Sequence, residues 1–328
     1  MYKIDGLDIS LVDEAMLRRR AGPDFSLGDS VVVDIACTPA FTTRYTALAT
    51  PQGLGERNRI TIWYVESLLR AFGDPHYLEE CGVSEGALVF QGTDCPHDLP
   101  SVAWQTKRDY CQVCLVPDFY YVRDHQFERE RGAIDPYLEW PERRGMFFWR
   151  GGTTGSSDLT ADSILALPRY RLCEIGARFG AQADFGFFHV VQTRSPEDAA
   201  AVEALLQSRN WLRPFLPLEL FPQFKFIVQI DGNGNSWQLL RKLRLGCCMV
   251  MVDSDWRLWH HHALRAWEHY VPVAQNLSNL AERMDWCLRH DEEARKIARR
   301  GRRLALSVDF ESEMQFAAKL VLDQAMGG

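Results

Sequence analysis

The stretch Lys225–Asp253 constrains the fold more tightly than any other part of the chain. Phe224–Ile230 is an apolar run of strand length, Asp231-Gly-Asn-Gly-Asn235 reads as a tight turn, Ser236–Leu245 has helical spacing, and Cys247–Val252 is a second apolar strand. Two strands joined through a helix at this length run parallel, and their crossover is right-handed. The segment is therefore a βαβ unit.

The same alternation extends outward. Short apolar strands are expected at Val31–Ile35, Ala87–Phe90, Cys111–Val116, Met146–Trp149 and Phe187–Val191. Asn58–Phe72 carries apolar residues at 60, 63, 64, 68, 69 and 72, the stripe of an amphipathic helix. Further helices are expected at Asp162–Leu167, at Pro196–Ser208 with Ser195 as its cap, and along the tail at Asn279–His290, Asp291–Arg300 and Glu311–Gln324. The first forty residues read as a charged, helical lead-in. Strands alternating with helices place the chain in the α/β class. At 328 residues it is long enough for two domains. The polar stretch from Asp124 to Arg144 is the candidate junction, dividing 1–143 from 144–306, with 307–328 as a helix returning to the first domain.

Composition narrows the function. With 37 Lys plus Arg against 44 Asp plus Glu, the net charge is −7. That argues against a general nucleic-acid binder, which needs surplus cations for phosphates. Met1–Arg20 is interrupted by acids and lacks the apolar core of a secretory signal. Runs such as Cys247–Val252 are far too short to span a bilayer. Nine cysteines in no framework spacing read as reduced thiols. A cytoplasmic protein is expected.

Several groups offer chemistry, each with a plainer alternative. In Gly232–Ser236, a Gly-rich turn after a strand lets backbone N–H groups approach a phosphate, with the following helix dipole in support. Asn233, Asn235 and Ser236 add side-chain donors and acceptors. Otherwise this is an ordinary βα turn with a serine cap. It is neither a GxGxxG fingerprint nor a Walker loop. Arg150-Gly-Gly-Thr-Thr-Gly155 is a second such turn, suited to a diphosphate or sugar, or else a loop with an exposed Arg. Asp94 and Asp118 each follow a strand, as general bases do in a cleft, and as turn-capping residues also do. Cys111-x-x-Cys114 is half a zinc site at most, and buried strand thiols fit better. His260–His262 cannot surround one metal from a regular helix. The basic run Arg295–Arg303 suits an anionic surface or a solvated helix end.

The blocks KFIVQIDGNGNSWQLLRKLRLGCCMVMV and SDWRLWHHHALRAWEHYVPV, within 225–273, resemble glycosyltransferase family 90, which includes fungal capsule-associated proteins, animal protein O-glucosyltransferases and bacterial lipopolysaccharide-modifying transferases. FFWRGGTTG at 147–155, VPDFYY at 116–121 and the segment 276–301 extend the resemblance over roughly residues 85–305. It implies a GT-B fold: two Rossmann-like domains facing across a cleft, the second holding a UDP-sugar. It also implies an inverting transfer, usually of glucose or xylose, with no metal or other cofactor.

By the same resemblance Asp94, in Gln91-Gly-Thr-Asp94-Cys-Pro96, is the general base, although Gln91 replaces the usual Asn. Asp118 is a candidate on the acceptor side. Arg150, Gly151, Gly152, Thr153 and Thr154 form one donor loop, and Gly232, Asn233, Gly234, Asn235, Ser236 and Trp237 form the other. An Arg after the first loop corresponds to Arg169 or Arg171. Animal members carry an Arg two residues after the serine, where this chain has Gln238; Arg241 or Lys242 is the candidate to replace that charge. The usual LKPW is Leu264-Arg-Ala-Trp267. With no lumenal leader or disulfide framework, the chain is similar to the bacterial cytoplasmic branch, with a glycan or glycolipid acceptor and peripheral membrane contact. The alternative is a nucleotide-sugar-binding module of the same fold with little or no turnover.

Overall fold

The computed structural model describes residues 9–11, 14–21, 30–37, 43–49, 56–73, 76, 80–81, 85–123 and 138–326. Most of the candidate junction, 124–137, lies outside them. The strands are β1 Ile9–Leu11, β2 Ser30–Cys37, β3 Thr43–Ala49, β4 Glu85–Gln91, β5 Ser101–Ala103, β6 Gln105–Lys107, β7 Val113–Leu115, β8 Arg144–Gly152, β9 Ala183–His189, β10 Phe224–Gln229, β11 Cys248–Val252, β12 Trp256–Leu258 and β13 Val271–Val273. The α-helices are α1 Glu14–Ala21, α2 Glu56–Phe72, α3 Phe119–Arg123, α4 Pro168–Ala177, α5 Pro196–Ser208, α6 Leu239–Arg244, α7 Leu280–Arg289, α8 Asp291–Ser307 and α9 Phe310–Met326. The chain divides into two compact α/β units. One comprises Met1–Gln126, Trp256–Trp259 and Asp309–Gly328; the other comprises Phe127–Asp255 and His260–Val308.

The first unit has a sheet in the order β1-β3-β2-β4-β5-β7. It is mixed rather than wholly parallel: β2 pairs antiparallel with β3 and β4, while β4, β5 and β7 run parallel. Residues 38–42 between β2 and β3 are too few for a crossover, so those strands must form a hairpin. Helix α2 buries Thr61, Ile62, Tyr64, Val65, Leu68 and Leu69. This stripe is offset from the one read in the sequence, and Trp63 is only half-buried. The Tyr64 ring packs 5.4 Å from both Phe90 and Trp104, and its hydroxyl donates to Pro117 O at 2.6 Å. Helix α9 belongs to this unit, where Gly86 of β4 leaves room for the backbone at Ala325.

The second unit is built on a parallel sheet in the order β13-β11-β10-β8-β9. The expected βαβ unit is β10–α6–β11. Along β8, Phe147 and Trp149 enter the main core with Tyr170, Leu172 and Phe226. Phe148 points to the other face, stacking 4.3 Å from Phe224. That alternation is the two-residue period of a strand, and it carries Arg150 to the same side as Phe148.

Two helices differ from the sequence reading. Asp162–Leu167 is only a 3-10 turn, Ser163–Ala166, and the α-helix starts at Pro168, whose fixed φ suits a first helical position. The helix expected from Ser236 begins three residues later, at Leu239, because Ser236–Gln238 remain part of the turn, with Leu239 N bonded to Ser236 O.

Candidate functional site

The sheet order reverses between β8 and β10: the chain leaves β8 outward to β9, and leaves β10 the opposite way to β11. Ligands of open α/β sheets bind beyond the carboxyl ends of strands at such a reversal. The two Gly-rich loops lie there, and they touch. Gly155 N donates to Asn233 Oδ1 at 3.0 Å. Arg169, on α4, bonds to both: Nη1 to Gly152 O at 2.9 Å and Thr154 Oγ1 at 2.6 Å, and Nε to Asp231 O at 2.7 Å. Its guanidinium also lies over the Trp149 ring, 5.7 Å from the centroid. Burial brings its pKa down to about 10, with Asp231 opposing. Gly232 is required by this closeness, since a Cβ there would fall 2.6 Å from Arg169 Nη2 and closer still to Thr154 Oγ1. Gly155, at φ +122, takes a backbone conformation that side chains disfavour.

The other donor candidates have more varied settings. Thr153 is buried, and its hydroxyl bonds to Val191 N and O, so it holds the loop. Asn235 is buried; Ser236 is half-buried and, among the described residues, its hydroxyl has no hydrogen-bond partner. Arg171 is exposed, while Arg169 is the arginine at the loops. Arg150 is held away from solvent by Asp184, a partner no motif signals, with both carboxylate oxygens 2.8 Å from Nη2. A cavity of about 320 Å³ opens beside α6, with Arg150, Gln238, Arg241 and Lys242 in its lining.

In the first unit, Asp94 is half-exposed, its carboxylate 3.5 Å from Arg57 Nη2 and its carbonyl held by Gln105. Gln91 is fully buried: its amide donates to His97 O and Ser101 Oγ and accepts from His97 N. The side chain that departs from the usual Asn thus shapes the loop carrying Asp94. Asp118 is only 2 % exposed and caps α3, accepting from the backbone N–H groups of Tyr120 and Tyr121. Burial raises its pKa to about 7 against those bonds and the neighbouring Trp259 indole.

The remaining motifs resolve differently from expectation. Cys111 is exposed, outside β7, because its N–H is drawn to Asp98 Oδ1, and Cys114 is half-buried. His260–His262 are not on a regular helix: His260 is buried just before a short 3-10 turn, His261–Ala263, and burial with His261 and His262 holds its pKa well below normal. Among the described residues, no group of three or more His, Cys, Asp or Glu is placed to hold a metal ion, and no helix is long and apolar enough to cross a membrane.

Comparison with known proteins now adds to this geometry. The profile of Glycosyl transferase family 90 matches residues 122–321, more than half the chain. The chain belongs to glycosyl transferase family 90. Protein O-glucosyltransferase 3 of Mus musculus is 36 % identical over 217 residues, covering 63 % of this chain and 38 % of that protein. Uncharacterized protein 179R of Invertebrate iridescent virus 6 is 34 % identical over 184 residues, covering 48 % and 15 % respectively. The family 90 chain thus spans well under half of either relative. A solved glycosyltransferase from Rickettsia africae ESF-5 aligns at a TM-score of 0.40 and 12 % identity, over 70 % of this chain and 64 % of its own.

Proposed function

We propose that this chain is an inverting glycosyltransferase moving a sugar, glucose ahead of xylose, from its UDP conjugate to a hydroxyl of lipopolysaccharide or another surface glycan. The observation that carries the reading is Arg169 binding both Gly-rich loops at the strand-order reversal of a family 90 chain. Glucose is put first because the relatives bear the name O-glucosyltransferase. The same names make a protein hydroxyl the competing acceptor. The exposed Lys296, Arg299 and Arg303 of α8 suit work beside an anionic membrane, at its cytoplasmic face.

In this mechanism Asp94 takes the proton of the acceptor hydroxyl while the oxygen attacks the anomeric carbon. The bond from that carbon to UDP breaks on the opposite side, and the diphosphate leaves with the electron pair. Attack opposite the leaving group inverts the anomeric centre. Arg169 and the loop backbone meet the charge that develops on the diphosphate, so a fixed protein cation takes the part a metal plays elsewhere.

The decisive experiment incubates purified protein, in EDTA, with UDP-glucose or UDP-xylose and either a lipopolysaccharide or a protein acceptor, and measures UDP release. Acceptor-dependent release in EDTA is the expected result, and the productive pair names both substrates. Folded protein that neither binds UDP nor releases it would end the reading.

A further inference from the structure

Lys242 lies in the second unit, on α6. It is 9 % exposed, and among the described residues its ammonium has one hydrogen-bond partner, the neutral oxygen Oε1 of Gln229, at 2.9 Å, and no ion pair. Gln229, on β10, is itself buried, and its Nε2 has no partner among the described residues. A buried cation answered only by a neutral amide is an expensive arrangement unless a further group completes it.

The surroundings set the chemistry that such a group must have. Lys242 lines the cavity of about 320 Å³ beside α6. The charged groups facing it are Arg150 from β8, Arg241 from its own helix, and Glu219 from the 3-10 turn Leu218–Gln223. Arg150 is already matched by Asp184, and the positive charge of Arg169, on α4, is felt at Lys242. Lys242 thus sits buried at the wall of a cavity that it shares with Arg241 and Glu219, next to the loop that ends at Gln238. An exposed aromatic ring, Phe215, forms part of the wall, 63 % accessible. Such a site fits an anion attached to a flat or apolar group, which a nucleoside diphosphate supplies.

We propose that Lys242 receives the diphosphate of the nucleotide donor, and that it takes up a proton from solvent as the diphosphate arrives. The proposal rests on the donor-site reading above and deepens it. In the free protein, burial and the nearby Arg169 bring the Lys242 pKa down to about 7, so above that pH the amine is largely neutral. A diphosphate at hydrogen-bond distance restores the advantage of the charged form, and binding and protonation become linked. Beside Arg169, which is charged throughout, the leaving group thereby meets a lysine that gains its charge when the donor is present.

The test is calorimetric titration of the whole protein with UDP near pH 8.5, where free UDP is fully ionised, in buffers of different ionisation enthalpy. The expected result is uptake of about one proton per UDP bound, with affinity falling up to about tenfold for each pH unit above 7. Lys242→Arg, charged throughout, should bind UDP with no uptake and a flat pH profile. Lys242→Met should bind more weakly, again without uptake. His189 is a second titratable group near the loops, its ring lying against Gly152. His189→Gln must therefore keep the uptake. UDP binding to the native protein with no proton exchanged, or uptake that persists in Lys242→Met, overturns the proposal while leaving the donor site standing. Absence of any UDP binding to folded protein removes the donor-site reading, and this proposal with it.

Discussion

Single side chains decide three outcomes. Asp94 is half-exposed on a loop held by Gln91 and Gln105, so Asp94→Asn should fold normally and bind UDP as before. Its turnover should drop by on the order of 10²-fold or more in a UDP-release assay. Gly232→Ala forces a Cβ toward Thr154 Oγ1 and Arg169 Nη2, atoms already fixed by Gly152 and Asp231. UDP affinity, read by calorimetry, should fall by on the order of tenfold. Asp118 predicts a pH effect on stability. Its folded pKa of about 7 lies above the ordinary 3.8, so the folded state holds the proton more tightly than the unfolded chain does. The stability that Asp118 contributes is then fully present below about pH 4 and is lost as pH rises through about 7, by at most on the order of 4 kcal/mol. Asp118→Asn keeps an oxygen for the Tyr120 and Tyr121 amides and removes the titration. In urea melts it should exceed the parent protein at pH 8, and the advantage should vanish near pH 4.

At the scale of elements, local chemistry and tertiary contact divide the work. Helix α5 runs over Pro196–Ser208 as read from the sequence, because Ser195 accepts from Asp198 N and Pro196 opens the first turn. Ser195→Ala should cost about 1 kcal/mol in chemical denaturation. The start of α6 was not legible. Asn233 bonds across to Gly155 in the other loop, and a contact between residues so far apart in sequence leaves no mark in local propensity. Strand β3 was missed because Thr43–Ala49 mixes polar and small residues, and its strand character comes from pairing with β1 and β2. Cys111 is exposed where its apolar neighbours imply burial, because its N–H is held by Asp98, thirteen positions away.

At the scale of the molecule, the chain holds its donor candidates in one unit and Asp94 in the other. If the donor site lies wholly within Phe127–Asp255 and His260–Val308, UDP should stabilise that unit. At ~100 times its Kd the gain is about 2.7 kcal/mol. Hydrogen exchange with and without UDP should show the added protection in β8, β10 and α4, with Glu85–Gln91 unaffected. Equal protection of both units would refute a donor site confined to one.

From the sequence alone came the α/β class, the βαβ unit at 224–252, the family resemblance and the two Gly-rich loops, because each is written in short-range pattern: apolar period, turn residues, contiguous motif. Tertiary structure alone decided which arginine serves the loops. Arg169 and Arg171 sit two positions apart on one helix and are chemically identical, but only Arg169 bonds to residues 152, 154 and 231, whereas Arg171 is exposed. It also decided that Asp118 is a buried cap and that Lys242 is a buried amine whose hydrogen-bond partner is the neutral amide of Gln229. Burial and partnership are sums over distant parts of the chain, and no local pattern encodes them.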